Sequence, residues 1–444
     1  MNIITVNQKN LCGCLLLIAL LLAATRTAPA QSVSSNDKER GQMMLSVAKS
    51  DIKDKYYDLT FHGVDVDAAF KEASEKIKSA QSNGQILGII AQTVLSLNDS
   101  HTFLIPPGRR VSTDYGFEMI VIGDDVYVSK VNEKSDAEAK GLKVGDRVHR
   151  VDRYQPAREN LWTLVYLYYA LRPQPGMQVT VSSSASEPRT LDIIAKTTER
   201  NRTDLTSYND YMRLVVEGQA EERRRKKSHR LQELDGLLIW KMPAFDMSVD
   251  EVDSFMDKAR NCKTLVLDLR GNGGGFEDAL LRMIGNLFDR DLKVGEIHRR
   301  KEIKPFTAKT RGDKAFKGEL IVLVDSLSAS SSEVLARVVQ SEKRGIVIGD
   351  RTSGAVMRSI VHNHEVGVTS ATFFAVSVTD ADLKMSDGKS LERVGVTPDE
   401  LKLPTGADLA AKTDPVLAYA VSRAGVKMDP VKAGSLFPAI KEKP

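Results

Sequence analysis

Two short apolar runs, Leu265-Val-Leu-Asp-Leu269 and Leu320-Ile-Val-Leu-Val324, each break off in a turn that leads into a helical pattern. Runs of this length, apolar on both faces, read as strands buried on both sides, and strands that alternate with helices commit a chain to an α/β core with a mostly parallel sheet. Leu237-Leu-Ile-Trp-Lys-Met242 and Gly345-Ile-Val-Ile-Gly349 continue the alternation, which extends from Leu234 to about Leu403. Sheets of this kind place ligands at the ends of their strands, so the two turns are the first places to look for chemistry.

The turn after Val324 is Asp325-Ser-Leu-Ser-Ala-Ser-Ser-Ser-Glu333, five serines ahead of a helix. A serine there has its hydroxyl at the sheet edge, beside the unpaired N–H groups of the first helical turn, and those donors suit an oxyanion. Read alone, Ser330, Ser331 and Ser332 also satisfy the ordinary rules for a helix N-cap. The turn after Leu269 is Arg270-Gly-Asn-Gly-Gly-Gly-Phe276. Its glycines permit positive φ and close approach, so it can offer a second N–H to the same oxyanion. The run has neither the Gly-x-Gly-x-x-Gly spacing nor the Gly-Lys-Ser/Thr ending of a nucleotide loop.

Four segments in order, Leu267-Asp-Leu-Arg-Gly-Asn-Gly-Gly-Gly275, Ser328-Ala-Ser-Ser-Ser-Glu333, Ile348-Gly-Asp-Arg-Thr-Ser-Gly354 and Leu391-Glu-Arg-Val-Gly-Val-Thr-Pro-Asp399, resemble the tail-specific or C-terminal-processing serine peptidases. That family includes the tricorn protease core and retinoid-binding relatives. The resemblance implies a ClpP/crotonase-like α/β core with Ser330 as nucleophile and Ser328 and Ser332 in support. It also implies oxyanion donors from the N–H of Ser331 and of the glycine turn, where Gly274 is the choice and Gly275 its neighbour. Many members carry a general-base lysine in a Phe-Gly-Lys-Gly motif; here the place reads Ser353-Gly-Ala-Val356, and Ala355 cannot take a proton.

Leu97-Asn-Asp-Ser-His-Thr-Phe103 resembles the Ser-His pair of the tricorn-like branch, which has no such lysine. By that likeness His101 is the base, Ser100 its neighbour and Glu392 the distal acid, with Arg393 where the family usually has glycine. An imidazole suits the task, since its ordinary pKa near 6.5 lets it take the serine proton and return it at neutral pH. A histidine needs a partner that fixes its tautomer, the role given to Ser100 and Glu392. His362 and His364 fall on one face of a strand without a third ligand, so no metal is expected, nor any cofactor.

Residues 1–30 read as a signal peptide: Lys9, an apolar run from Leu15 to Ala24, and Ala28-Pro-Ala30 before Gln31. The run is short for a transmembrane helix, so the expectation is an exported protein, periplasmic or extracellular. Cys12 and Cys14 lie in that segment, leaving Cys262 with no partner for an internal disulfide. Removal of Lys9 and Arg26 takes the formal charge from +4 to about +2, too little to suggest nucleic acid. The basic run 221–230 is flanked by acids and lacks interleaved aromatics, which fits a solvated helix or linker.

The remaining organisation is an N-terminal helical region over 31–110, with helical spacing in Met43–Ile52 and Ala68–Ile90, and a β-rich region over 113–198. In the latter, Ser135-Asp-Ala-Glu-Ala-Lys-Gly-Leu-Lys-Val-Gly-Asp-Arg-Val148 resembles the signature of a PDZ domain. That implies capture of extended peptides as an added strand, with Tyr115-Gly-Phe-Glu118 as the loop that would hold a terminal carboxylate. The core spans 205–405, and 406–444 hold a closing helix, begun by Asp414-Pro415, and a tail. The reading is an exported serine endopeptidase that cuts proteins with unstructured, free C-terminal tails through an acyl-enzyme on Ser330. The alternative is an inactive peptide-binding protein of the same fold.

Overall fold

The computed structural model describes residues 33–109, 111–183, 186–199, 229–367 and 371–437. The apolar leader and nearly all of the basic run lie outside these residues. Among the described residues no helix is long and apolar enough to cross a membrane.

The N-terminal region is three helices, α1 (Ser35–Lys55), α2 (Val66–Ser79) and α3 (Asn83–Leu95). The pattern expected to run from Ala68 to Ile90 is broken at Ala80–Ser82, because Ser82 caps a new helix by accepting from the Gln85 N–H. Ile52, Phe70, Ile77 and Ile90 form a core that closes against Phe374 and Val376 of β17 (Thr372–Met385). Strand β1 (Phe103–Ile105) leaves the helices and pairs antiparallel with β17. His101, two residues before β1, is thereby carried to β17 from far off in sequence.

A short ribbon of β2 (Val111–Asp114) and β8 (Lys196–Glu199) brackets the middle region. Inside it β3 (Phe117–Ile122), β4 (Asp125–Val131), β5 (Arg147–Val151), β6 (Gly176–Ser182) and β7 (Arg189–Ile194) form one antiparallel sheet in chain order. Alternating Val126, Val128, Val179 and Val181 point into its core, as period-2 patterning requires. A helical turn, α4 (Asp136–Ala139), precedes β5, and α5 (Leu161–Val165) continues as a π turn through Leu171. β3 is an edge strand, with α5 beside it.

The core holds a six-stranded sheet, ordered β18-β15-β14-β11-β10-β9. Here β10 (Leu237–Lys241), β11 (Thr264–Asp268), β14 (Glu319–Val324), β15 (Ile346–Gly349) and β18 (Glu400–Leu401) are parallel, and β9 (Arg230–Leu234) is antiparallel. A second, antiparallel sheet, joining β1, β12 (Leu292–Arg299), β13 (Ile303–Ala308), β16 (Met357–Val366) and β17, was not foreseen from the strand–helix alternation. The helices α6 (Val249–Ala259), α7 (Glu277–Leu287) and α8 (Ser331–Ser341) pack with the main sheet around Trp240, Leu267, Ile284 and Leu335. His362 and His364 both lie in β16, and His364 Nε2 pairs with Asp51 Oδ2 on α1. Among the described residues no cluster of ligands suits a metal ion.

Candidate active site

The two turns singled out by sequence end the adjacent parallel strands β11 and β14, and their polar groups bind them face to face. Ser328 Oγ donates to Leu269 O at 2.8 Å and Ser332 Oγ to Asn272 O at 2.9 Å; both serines are buried. Asp325 accepts the Gly271 N–H at 2.9 Å, and Ala329 N donates to Asn272 O at 3.0 Å. Ser330 and Ser331 line the cleft, and Ser330 takes φ 54° and ψ −118°. That conformation costs a non-glycine residue on the order of 1–3 kcal/mol and persists only where its surroundings impose it. Here they do, since Ser330 N donates to Ala355 O at 2.9 Å and to Glu333 Oε2 at 3.1 Å.

Gly274 lies directly behind the Ser330 side chain, where a Cβ would come within 2.7 Å of Ser330 Cβ and 3.1 Å of its Oγ. Its φ of 97° also demands glycine. Its N–H, however, is not free: it donates to Asn272 Oδ1 at 2.9 Å. The N–H groups of Gly275 and Ser331 meet no acceptor among the described residues, and Ser331 Oγ donates to Gly275 O at 3.3 Å, which holds those two residues side by side. The geometry therefore favours Gly275 over Gly274 as the donor. Sequence could not separate them, because the choice hangs on the side chain of Asn272.

Glu333 is fully buried and accepts from Thr352 Oγ1 at 2.6 Å, Gly354 N at 2.7 Å and Ala355 N at 2.9 Å as well as from Ser330 N. Burial pushes its pKa up, and these donors work in the opposite direction. Its effect is to clamp residues 352–355 to the start of α8. The segment with Ala355 in the lysine place is thus fixed by its backbone. No lysine lines the pocket beside Ser330, and Lys384, the remaining candidate base, sits in the β12–β17 ladder opposite Glu296.

His101 stands in a turn organised by the buried Asp99, which accepts from His101 N, Thr102 N, Tyr56 Oη and Thr379 Oγ1 at 2.6–2.8 Å. Ser100 Oγ is 2.6 Å from His101 Nδ1 and donates to Glu392 Oε2 at 2.9 Å, while Ser100 N donates to Glu392 Oε1 at 2.6 Å. A hydroxyl has one proton. With that proton on Glu392, Ser100 can only accept from the ring, so Nδ1 carries the hydrogen and Nε2 the lone pair, which is the tautomer a base requires. Burial lowers the His101 pKa, with Asp99 pulling it up and Arg393 pushing it down, and favours the neutral ring. Burial likewise raises the Glu392 pKa, opposed by its hydrogen bonds from Val356 and Ser100.

One peptide unit joins this group to Ser330. The C=O of Ala355 accepts from Ser330 N at 2.9 Å, and the N–H of the same peptide, on Val356, donates to Glu392 Oε2 at 3.0 Å. Ser330 N and the Glu392 carboxylate are therefore roughly 8 Å apart across a planar group. No direct hydrogen bond joins His101 to Ser330 among the described residues; in substrate-free enzymes such bonds are often long and close in the complex. Arg393 keeps the φ of 60° that glycine would supply, held by its N–H to Gly354 O at 2.8 Å, and its guanidinium reaches Asn98 O at 3.3 Å. The pocket at Ser330 has an apolar wall of Leu280, Ile297, Phe306, Val334 and Leu383 and a charged part made by Glu277, Arg358 and Asp382.

A second concavity lies between β3 and α5, lined by Phe117, Met119, Leu164, Val165, Tyr168 and Met177. In the Tyr115-Gly-Phe-Glu118 loop, Gly116 N donates to Asp114 Oδ1 at 2.8 Å.

Residues 237–401 match the sequence model of peptidase family S41. Over this stretch the chain is similar to that family. The C-terminal processing peptidase, chloroplastic, of Tetradesmus obliquus is 25% identical over 393 residues, covering 84% of this chain and 78% of the algal protein. The carboxy-terminal-processing protease of Bartonella bacilliformis is 32% identical over 143 residues, 31% of this chain and 30% of its own length. A tail-specific protease of Haemophilus influenzae is 29% identical over 171 residues, 37% of this chain and 24% of that one. Among solved structures, mature CPAF superposes with a TM-score of 0.65 at 14% identity, covering 85% of this chain and 95% of that chain, a likeness of fold. The chain is a serine-type peptidase.

Proposed function

We propose that this protein is an exported endopeptidase that cleaves proteins offering extended, unstructured tails, through an acyl-enzyme on Ser330. His101 Nε2 takes the Ser330 proton as Oγ attacks the scissile carbonyl, then delivers it to the leaving amine; water repeats the cycle on the ester. Ser100 and Glu392 hold Nδ1–H in place and disperse the charge of the imidazolium. The N–H groups of Gly275 and Ser331 receive the oxyanion. The observation that carries this reading is the Ser100 hydrogen-bond pattern, which leaves the lone pair on Nε2, together with the 355–356 peptide that ties Glu392 to Ser330.

Export rests on the leader ending in Ala28-Pro-Ala30, and the middle sheet with α5 is read as a PDZ-like module whose groove recruits the substrate. The alternative, an inactive peptide binder, draws on Ala355 and the absent His101–Ser330 bond. A fluorophosphonate probe separates them, because only an activated serine reacts. Labelling of the parent chain that vanishes in Ser330→Ala, with an unchanged circular dichroism spectrum, is the expected result; no labelling of the parent chain would sink the peptidase reading.

A further inference from the structure

The groove beside β3 supports an inference that deepens the recruitment half of this function. β3 ends its sheet, so its outer N–H and C=O groups face no further strand, the Phe117 C=O alone being taken by Tyr169 Oη. Across the trough α5 and the π turn present Val165 and Tyr169, each at least 40% exposed, with Leu164 and Tyr168 beside them, as an apolar wall. A segment that pairs with the strand and buries alternate side chains against that wall fits the site.

The end of the trough differs from what a terminal carboxylate needs. Asp114 already fills the loop: its Oδ1 accepts from Gly116 N at 2.8 Å and its Oδ2 from Asn132 Nδ2 at 3.2 Å. Tyr169 Oη donates to Phe117 O at 3.3 Å, closing the trough at the same place. Burial raises the Tyr169 pKa, and Asp114, Tyr115 and Glu118 add to it, while Glu118 is itself paired with Lys130 at 3.3 Å and Arg109 acts on Tyr115. The loop has little room to rearrange, because Asn132 N donates to Gly116 O at 2.8 Å and a Cβ on Gly116 would lie 2.4 Å from Ser135 Cβ. A free C-terminus placed there meets a carboxylate where it needs an N–H donor, and like charges across an interface select against a partner.

We propose that this groove docks extended apolar segments by strand addition without reading a terminal carboxylate, so that internal segments and amidated tails bind at least as well as free C-termini.

The test uses the full chain carrying Ser330→Ala, to prevent cleavage, and one fluorescein-labelled apolar peptide made as free acid, as amide, and with residues appended beyond its end. Anisotropy should give the amide and the extended peptide affinities equal to or tighter than the acid. Asp114→Ala should tighten the acid by about threefold or more and leave the amide within about twofold, with Asp114→Asn in between as a check on folding. A free acid that binds about threefold tighter than its amide to the Asp114 chain overturns the proposal, as does an acid affinity indifferent to both substitutions. Failure of every peptide to bind overturns recruitment itself. Probe labelling of the Ser330 chain is unaffected by either result and reports on the peptidase reading separately.

Discussion

Ser100→Ala removes one oxygen and leaves the rest of the relay standing, because Glu392 keeps its bonds from the Ser100 and Val356 N–H groups. What is lost is the acceptor 2.6 Å from His101 Nδ1 and its 2.9 Å link to the carboxylate. In the ground state the ring is neutral and the loss is one ordinary hydrogen bond. In the transition state the ring is an imidazolium, and a hydrogen bond to a charged group contributes about 1.5–3 kcal/mol. At 1.36 kcal/mol per decade, kcat should fall by about 10- to 150-fold. The effect should be full on the plateau above the acid limb, where the ring of the free enzyme is neutral, and should shrink below it. The acid limb of the pH profile should move lower, as the protonated ring has lost a stabilising partner. Steady-state cleavage of a quenched fluorescent peptide from pH 4.5 to 9 measures both quantities. A kcat within about threefold of the parent would refute the relay, and a loss as complete as that of His101→Ala would refute the division of labour between the two residues.

The pH dependence of the parent enzyme follows from His101, whose folded pKa burial holds below the ordinary imidazole value of about 6.5. The base is active when deprotonated, so the rate should rise through a limb below that value and level off at neutral pH; a rise only above about pH 8.5, with His101→Ala still active, would point to a lysine instead. Glu333→Gln should lower activity and loosen the cleft, because an amide has one acceptor oxygen where the carboxylate offers two to four donors. At least one buried N–H is then orphaned, at about 1–3 kcal/mol. Hydrogen exchange should quicken at Gly354 and Ala355, and unchanged exchange at both would remove Glu333 from its clamping role.

The serine and glycine turns were legible in the sequence because they are local. Two apolar runs broken by Asp325–Ser332 and Gly271–Gly275 dictate strand, tight turn and helix start wherever they fold, and four motifs in order pointed to the family. The residues with positive φ divide along the same line. Gly274 announces its φ by being glycine, whereas Ser330 and Arg393 hold theirs through Ala355 O, Glu333 and Gly354 O, partners supplied by the fold. The antiparallel sheet of β1, β12, β13, β16 and β17 was missed because its strands find their partners far along the chain, Phe103 opposite Ser377 being one pair. Periodicity carries no such addresses. The same limit hides which acceptor takes the Gly274 N–H (Asn272 Oδ1), the Ser100 hydroxyl (Glu392, nearly three hundred residues on) and the Gly116 N–H (Asp114). Composition and spacing determine which groups a chain carries and what backbone they need. Which hydrogen-bond donors remain free to act on a substrate is decided only when tertiary packing assigns the others their acceptors, because each N–H or O–H proton that is committed within the fold is withdrawn from the site.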